Sequence, residues 1–383
     1  MKILHTADWH VGKVLKGRPR MDEHRAVLGE LVERVWHEDV DMVIVAGDLF
    51  DTSSPTPEAQ SLVMRTLLDL HEQGERDVVV LAGNHDNAHL FDAYRPVLGA
   101  LGIHVVGTFR RPDQGGALEI QARSGEDVRL AVLPFLSQRY VVRAAEALGG
   151  TAAEHNRLYA DRFAQLTAAL TKGFAGGTVN LVTSHGTMPG GAFGGGEREA
   201  QSIFSYYFEP TAFPVSTQYA ALGHLHRRQQ IPGPCPIWYS GSPIAVDFGE
   251  ENNTPGALLI DVEPDRPARV TEVMLARAVQ LKTVHGTLEE LSALPDDGAW
   301  LRVIVEEKPR AGLAELVREI LPNALDVRVD ERFRPVSATR AKGTTPGAAR
   351  SPRELFRDYL SATGKDDDRV TSLFDRLYDE ETN

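Results

Sequence analysis

The stretch that most limits what this chain can become is Asp41-Met-Val-Ile-Val-Ala-Gly-Asp-Leu-Phe-Asp51. Its apolar run, Met42 to Ala46, is short, rich in β-branched residues and stopped by Gly47, which predicts a buried strand. Asp48 follows at once, so a carboxylate stands at the strand's carboxyl end. That edge is where open α/β sheets bind their ligands. A function is legible only if other strands bring partners for Asp48 to the same edge.

They do, in sequence order. Ile3 and Leu4 open a strand that ends at Asp8-Trp9-His10. Val27, Leu28, Leu31, Val32 and Val35 recur at helical spacing and predict a helix from Met21 to Glu38. A second helix starts in the Pro-bearing turn 52–57 and runs to about Gly74. Val78–Leu81 reads as another buried strand, ending at Gly83-Asn84-His85-Asp86. The order β-α-β-α-β is that of a parallel sheet covered by helices. Further strands are expected at 102–107, 128–133, 179–183, 219–222, 237–243 and 257–261, and a helix at 151–171. Two of these strands end in histidine-bearing turns, Ser184-His185-Gly186 and Gly223-His224-Leu225-His226, and a glycine-rich loop, Pro189 to Gly196, lies between them.

Composition shifts at 264–269. Beyond it, Trp300–Val305, a helix at 312–321 and Ala324–Val329 read as a small β-α-β unit with no metal-type cluster. Residues 335–352, rich in Ala, Thr, Gly, Pro and basic residues, read as a linker. Two short amphipathic helices close the chain. Leu355, Phe356, Tyr359 and Leu360 recur on the first, and Val370, Leu373, Phe374 and Leu377 on the second. The expected division is 1–270, 271–336, 337–351 and 352–383.

At 383 residues the chain is too long for one core. No apolar run is long enough to cross a bilayer, and the charged, polar start leaves no room for a signal peptide. A single cysteine, Cys235, excludes an intrachain disulfide and fits a cytoplasmic protein. With 54 acidic and 41 basic residues the formal charge is −13, which by itself argues against a general nucleic-acid binder. Val11 to Arg20 departs locally: it holds Lys13, Lys16, Arg18 and Arg20 and no acid, either as a DNA-facing loop or as a solvated one.

Five strand ends thus carry Asp8 with His10, Asp48, Asn84 with His85, His185, and His224 with His226. Carboxylate and amide oxygens suit hard divalent cations, and imidazole shifts preference toward Mn, Fe or Zn. The set suffices for two ions sharing one carboxylate; about 3.5–4 Å apart, such ions bind a phosphate and activate a water. His24, His37, His71, His155 and His285 read as surface groups.

The order Asp8-x-His10, Gly47-Asp48-x-x-Asp51, Gly83-Asn84-His85-Asp86, Ser184-His185-Gly186 and Gly223-His224-x-His226 resembles the calcineurin-like metallophosphoesterases, and within them the bacterial SbcD nucleases. His5-Thr-Ala-Asp-Trp-His10, Val45 to Thr52, Leu81 to Asp86, Tyr239-Ser-Gly-Ser-Pro243 and Ala278 to Lys282 carry the likeness over nearly the whole chain. The resemblance implies an α/β fold with a two-sheet β-sandwich flanked by helices, a small α+β capping domain and a C-terminal helical tail. It implies one Mn2+ on Asp8, His10, Asp48 and His226, and a second on Asp48, Asn84, His185 and His224. It implies phosphodiester hydrolysis by a hydroxide activated between the two metals, with His85 on the scissile phosphate and Asp86 orienting it. Where some members carry His, this chain has Asp51, so no direct role is carried over to it. The implied activity is double-strand exonuclease and single-strand or hairpin endonuclease. The implied partners are DNA, a second copy of the chain and an SbcC-type ABC ATPase, whose coiled coil would receive Leu355, Phe356, Tyr359, Leu373, Phe374 and Leu377 by helix-in-groove docking.

Two alternatives fit the residues less well. A phosphomonoesterase or phosphoprotein phosphatase of the same superfamily would carry an Arg-bearing loop after Gly-Asp and Glu after Asn-His, where this chain has Leu-Phe-Asp and Asp86. A non-catalytic scaffold would have no need of the ligand set.

Overall fold

The structure, a computed structural model, describes residues 1–72, 75–137, 152–196, 207–333, 356–357, 359–361 and 369–374. The chain opens with β1 (Lys2–Thr6), a small hairpin of β2 (Val14–Leu15) and β3 (Arg18–Pro19), α1 (Met21–His37), β4 (Met42–Val45), α2 (Pro57–His71), β5 (Asp77–Leu81), α3 (Ala88–Ala100) and β6 (Ile103–Val106). β1, β4, β5 and β6 pair in parallel. β6 is the strand expected at 102–107, and α3 before it is an addition to the expected elements: Asn87 caps its start, accepting from His89 and Leu90 N–H, and Phe91 and Leu98 are buried on it, with Pro96 inside the helix.

A second sheet follows: β7 (Ala117–Gln121), β8 (Asp127–Leu133), α4 (Ala152–Leu170), β9 (Val179–His185), β10 (Tyr219–Gly223), β11 (Gln229–Ile231) and β12 (Ile237–Tyr239), in the order β11-β12-β10-β9-β8-β7. The chain then returns to the first sheet through β13 (Gly256–Asp261) and β14 (Arg269–Met274), giving β14-β13-β1-β4-β5-β6. β14 runs through the position expected for the boundary at 270 and pairs along its whole length with β13.

The two sheets stack face to face. β4 shows why its sequence is continuously apolar: Met42 and Ile44 point into the layer between the sheets, while Val43 and Val45 face α1 and α2. A strand covered on both faces has no polar side to show. The outer face of the second sheet is covered by Tyr159, Phe163 and Leu170 of α4. Burying each such side chain contributes about 1.5–3 kcal/mol.

A third, parallel sheet is built from β15 (Leu281–Gly286), α5 (Leu288–Ser292), β16 (Trp300–Val305), α6 (Leu313–Ile320) and β17 (Ala324–Val329). It has its own core of Leu291, Val303, Val305, Leu313, Val317, Leu321 and Ala324. A small joint of Leu15, Ala245, Phe248 and Leu281, with Trp300 and Leu325, fastens it to the rest. Residues 1–333 form one compact unit and 334–383 another. The expected linker at 337–351 and the tail positions Leu355 and Leu377 lie outside the described residues. Within the second unit the described residues are helical, and the Phe356 and Phe374 rings stack at 4.0 Å. Among the described residues no helix is long and apolar enough to cross a membrane.

Candidate metal centre

Strands of both sheets end at one rim. β1 and β4 lead into Asp8 and Asp48, β5 into Asn84, β9 ends on His185, and β10 is followed by His224. The turns are laced together by the backbone: Asp8 N–H donates to Gly47 C=O at 2.9 Å and His10 N–H to Asp48 C=O at 3.0 Å. To aim their side chains inward, Asp8, His10, Asp48 and His224 adopt left-handed backbone, with φ of 54°, 48°, 51° and 106°. Each such residue costs about 1–2 kcal/mol. Gly83 must be glycine, because a Cβ there would collide with the Asp48 carboxylate.

The donors converge in three groups, two of them sharing His10. Asp8, His10 and His226 form one, His10, Asp51 and His85 a second, and Asp48, His185 and His224 the third; within each, the donor atoms lie within 4.8 Å of one another. His10 Nε2 is 3.1 Å from His226 Nε2. Asn84 Oδ1 joins the third group, 2.9 Å from His185 Nε2 and 2.8 Å from His224 Nδ1. Asp8, His10, Asp48 and His185 are at most 2% exposed.

Second contacts fix which nitrogen faces the centre. His185 Nδ1–H donates to Ala46 C=O at 2.8 Å, which leaves Nε2 to face two oxygens, Asn84 Oδ1 and, at 3.4 Å, Asp48 Oδ2. A neutral imidazole would put a lone pair against two acceptors. His10 Nδ1 is buried without a hydrogen-bond partner. A cation between His185 Nε2, Asn84 Oδ1 and Asp48 Oδ2 removes the mismatch at His185, so the residues present fit a divalent ion.

The electrostatics carry the same mark. Burial pushes the Asp8 carboxyl up to about 7, against the pull of His226 and His185. Burial also acts on Asp48, but His185, by charge and hydrogen bond, and His10 outweigh it and hold Asp48 well below the usual carboxylate range. In return Asp48 overcomes burial at His185 and raises it to about 9. Burial, then neighbouring His226, depresses His10. Donors packed this closely need positive charge among them, and protons supply it wherever a cation does not.

His85 is half-buried beside the centre, its ring edge-on to His10 at 4.7 Å. Its backbone N–H donates to Asp48 Oδ1 at 2.7 Å, and its Nδ1 lies 2.8 Å from Asp51 C=O. Asp86 therefore does not orient the ring as expected. Its carboxylate accepts from Leu49, Phe50 and Gly83 N–H at 3.2, 3.0 and 2.9 Å, pinning the Asp48 turn to the Asn84 turn. Burial and the charge on Asp48 push the Asp86 carboxyl up to about 7. Asp51 supports His85 through its carbonyl and meets Lys13 Nζ at 3.3 Å through its carboxylate.

The basic quartet is split. Arg20 is buried; its guanidinium is paired with Glu23 and donates to Ala245 C=O, so it offers nothing to a phosphate. Lys13 stays beside the site, Lys16 lies 4.0 Å from Asp326, and Arg18 stacks over Trp300 at 4.3 Å. His24 and His71 are buried, bonded to backbone carbonyls, and are not surface groups. Sequence reading also missed Glu250, which holds His226, and a meeting of His285, Glu306 and Asp330 at the rim of the third sheet.

This fold and donor set define a class of enzyme. The chain belongs to the calcineurin-like phosphoesterases, whose family profile matches residues 1–228. Residues 277–363 match the family described as type 5 capsule protein repressor C-terminal domain. More narrowly, the chain is 33% identical over 342 residues to the SbcD subunit of the SbcCD nuclease of Bacillus subtilis (strain 168), covering 86% of this chain and 85% of the relative. Identity to the corresponding protein of Rhodobacter capsulatus is 32% over 388 residues, covering 93% and 92%. For that of Escherichia coli (strain K12) it is 31% over 298 residues, covering 76% and 73%. Within the phosphoesterases the chain thus belongs with the SbcD subunits of the SbcCD nucleases.

Proposed function

We propose that this protein is the metal-dependent nuclease subunit of an SbcCD-type complex, cutting DNA phosphodiesters as a double-strand exonuclease and a single-strand or hairpin endonuclease. The observation that carries the reading is the lone-pair face of His185 set against Asn84 and Asp48, a geometry made for a cation. We assign two Mn2+ to the centre, one on Asp8, His10 and His226, the other on Asn84, His185 and His224, with Asp48 shared. When bound, the ions would supply Lewis acidity, an activated water and neutralisation of phosphate charge.

The chain's own residues do the rest. Burial of Asp8, His10, Asp48 and His185 keeps bulk water from screening the phosphate. His85, with Nδ1 committed to the Asp51 carbonyl, keeps Nε2 for the scissile phosphate and the departing oxygen. Asp86 ties the two turns into one rigid ledge. Lys13 adds positive charge near the entrance. The third sheet serves as the capping domain, and the tail helices dock on the coiled coil of an SbcC-type ATPase through faces that include Tyr359 and Leu373, both exposed here. The working form is a homodimer joined to two ATPase subunits, cytoplasmic and on the nucleoid.

The test is purified protein with Mn2+ against single-stranded circular DNA, hairpins and a generic phosphomonoester, with and without the ATPase. Cleavage of circles and hairpins with little phosphomonoester turnover is expected; the reverse pattern overturns the reading.

A further inference from the structure

Glu250 is 1% exposed and sits on the single 3-10 turn Phe248–Glu250. A buried carboxylate needs partners, and both its oxygens have them. Oε1 lies 2.5 Å from His226 Nδ1, and Oε2 accepts Val246 N–H at 2.7 Å. The contact makes Nδ1 the proton-bearing nitrogen of His226 and leaves Nε2 to face His10.

The turn is gripped from two sides. On one, the glycine-rich loop runs against it: Gly195 and Gly249 are in backbone contact, and any Cβ at Gly196 would strike the Glu250 carboxylate and Val246. On the other, the third sheet reaches across. Arg302 stacks over Phe248 at 4.7 Å and lies 3.9 Å from Asp247 Oδ1, and Thr283 Oγ1 donates to Glu251 Oε2 at 2.6 Å. The same sheet seats the hairpin that follows His10, through Arg18 on Trp300 and Leu15 in the shared joint. The segments bearing His10 and His226 therefore share one support. His185 is fixed instead by the sandwich itself, through Ala46.

We propose that Glu250 is a positioning residue for His226, and that its turn couples the third sheet to the half of the centre built from Asp8, His10 and His226. The inference rests on the two-ion reading above. A shift of the third sheet, by DNA or by a partner, alters the hold on one ion and leaves the other in place.

The experiment titrates the full chain, stripped of metal, with Mn2+ by calorimetry, beside thermal unfolding of the same samples. Glu250→Ala should raise one of two dissociation constants about 10–100-fold and leave the other unchanged. Glu250→Gln, whose amide oxygen still accepts the N–H, should recover part of the loss, and so carries the test if the alanine variant does not fold. Arg302→Ala, at a residue whose contacts are Phe248, Asp247 and Asp326, should raise the same constant several-fold. In DNA cleavage at limiting Mn2+ these variants should lose kcat, not KM, and regain it with excess Mn2+. His185→Ala should act on the other constant. Two wild-type constants in both Glu250 variants, or equal loss of both, overturns the positioning role, and an unchanged Arg302→Ala overturns the coupling. Wild-type protein that takes up fewer than two ions would sink the two-ion reading instead, a separate result.

Discussion

Two rims in this molecule look alike on paper and differ in kind. The sandwich rim gathers Asp8, His10, Asp48, His185 and His224 at the carboxyl ends of strands, mostly parallel to one another. The third sheet does the same on a small scale: His285 lies in β15 near its end, while Glu306 and Asp330 follow β16 and β17, with donor atoms again within 4.8 Å. At the second rim, however, Arg332 brings the cation along. It meets Glu306 at 2.7 Å and Asp330 at 2.9 Å, and with its hydrogen bonds draws the Asp330 carboxyl down to about 2. It does so in solvent, where such pairs are worth little. At the first rim Asp8, His10, Asp48, His185 and His226 are buried, and the back sides of His185 and His226 are committed to a backbone carbonyl and a carboxylate. Clustering of ligand residues is therefore not what marks a metal site. Buried donors with their second atoms already spoken for, and no arginine or lysine among them, are the mark.

The contrast can be broken in four ways. The largest effect is expected from His85→Ala, which should keep metal uptake yet lose about 10²–10⁴-fold in cleavage; full cleavage by this variant would remove the residue from the chemistry. Next comes removal of metal: chelation should lower the unfolding midpoint, and Mn2+ at about a hundred times its dissociation constant should restore about 2.7 kcal/mol. A His285, Glu306 and Asp330 triple alanine variant should show the same shift. Were the triple variant to lose it, the two rims would have been ranked wrongly.

The third is pH. Asp8 without metal has its carboxyl raised to about 7 from an ordinary 3.8, and His185 is raised to about 9. Both must give up protons to bind an ion, so uptake releases protons and affinity falls as pH drops, about tenfold per unit for each proton released. The linkage for stability has the matching sign. The metal-free fold draws support from these protonated groups at low pH, and loses it as pH rises through about 7 for Asp8 and about 9 for His185. Calorimetry in buffers of different ionisation heat reads the protons directly; no proton release at about pH 6, below both values, contradicts the assignment. The smallest effect belongs to Arg332→Ala, which should expose the third rim to millimolar divalent binding only, seen as a chemical-shift change at His285.

Much of this was readable beforehand. The buried run Met42–Ala46, the parallel order and the donor positions follow from turn residues placed after apolar strands, a local pattern. What escaped depends on contacts far along the chain. Arg20 looks like its basic neighbours until Ala245, distant in sequence, supplies a carbonyl for it. Glu250 stands in Asp-Phe-Gly-Glu, with no spacing to tie it to His226. α3 carries Pro96 in its interior, and β14 was hidden by weak, exposed alternation: an edge strand shows solvent on most of its residues.

The left-handed residues at the rim have a further bearing. With Asp8, His10, Asp48 and His224 all bent against their own preference, the turns of the unloaded site are the natural place for the native state to breathe. Their amides should trade hydrogen with solvent fastest in the stripped protein and slow sharply once ions arrive, so that exchange there would serve as a gauge of how fully the enzyme is charged.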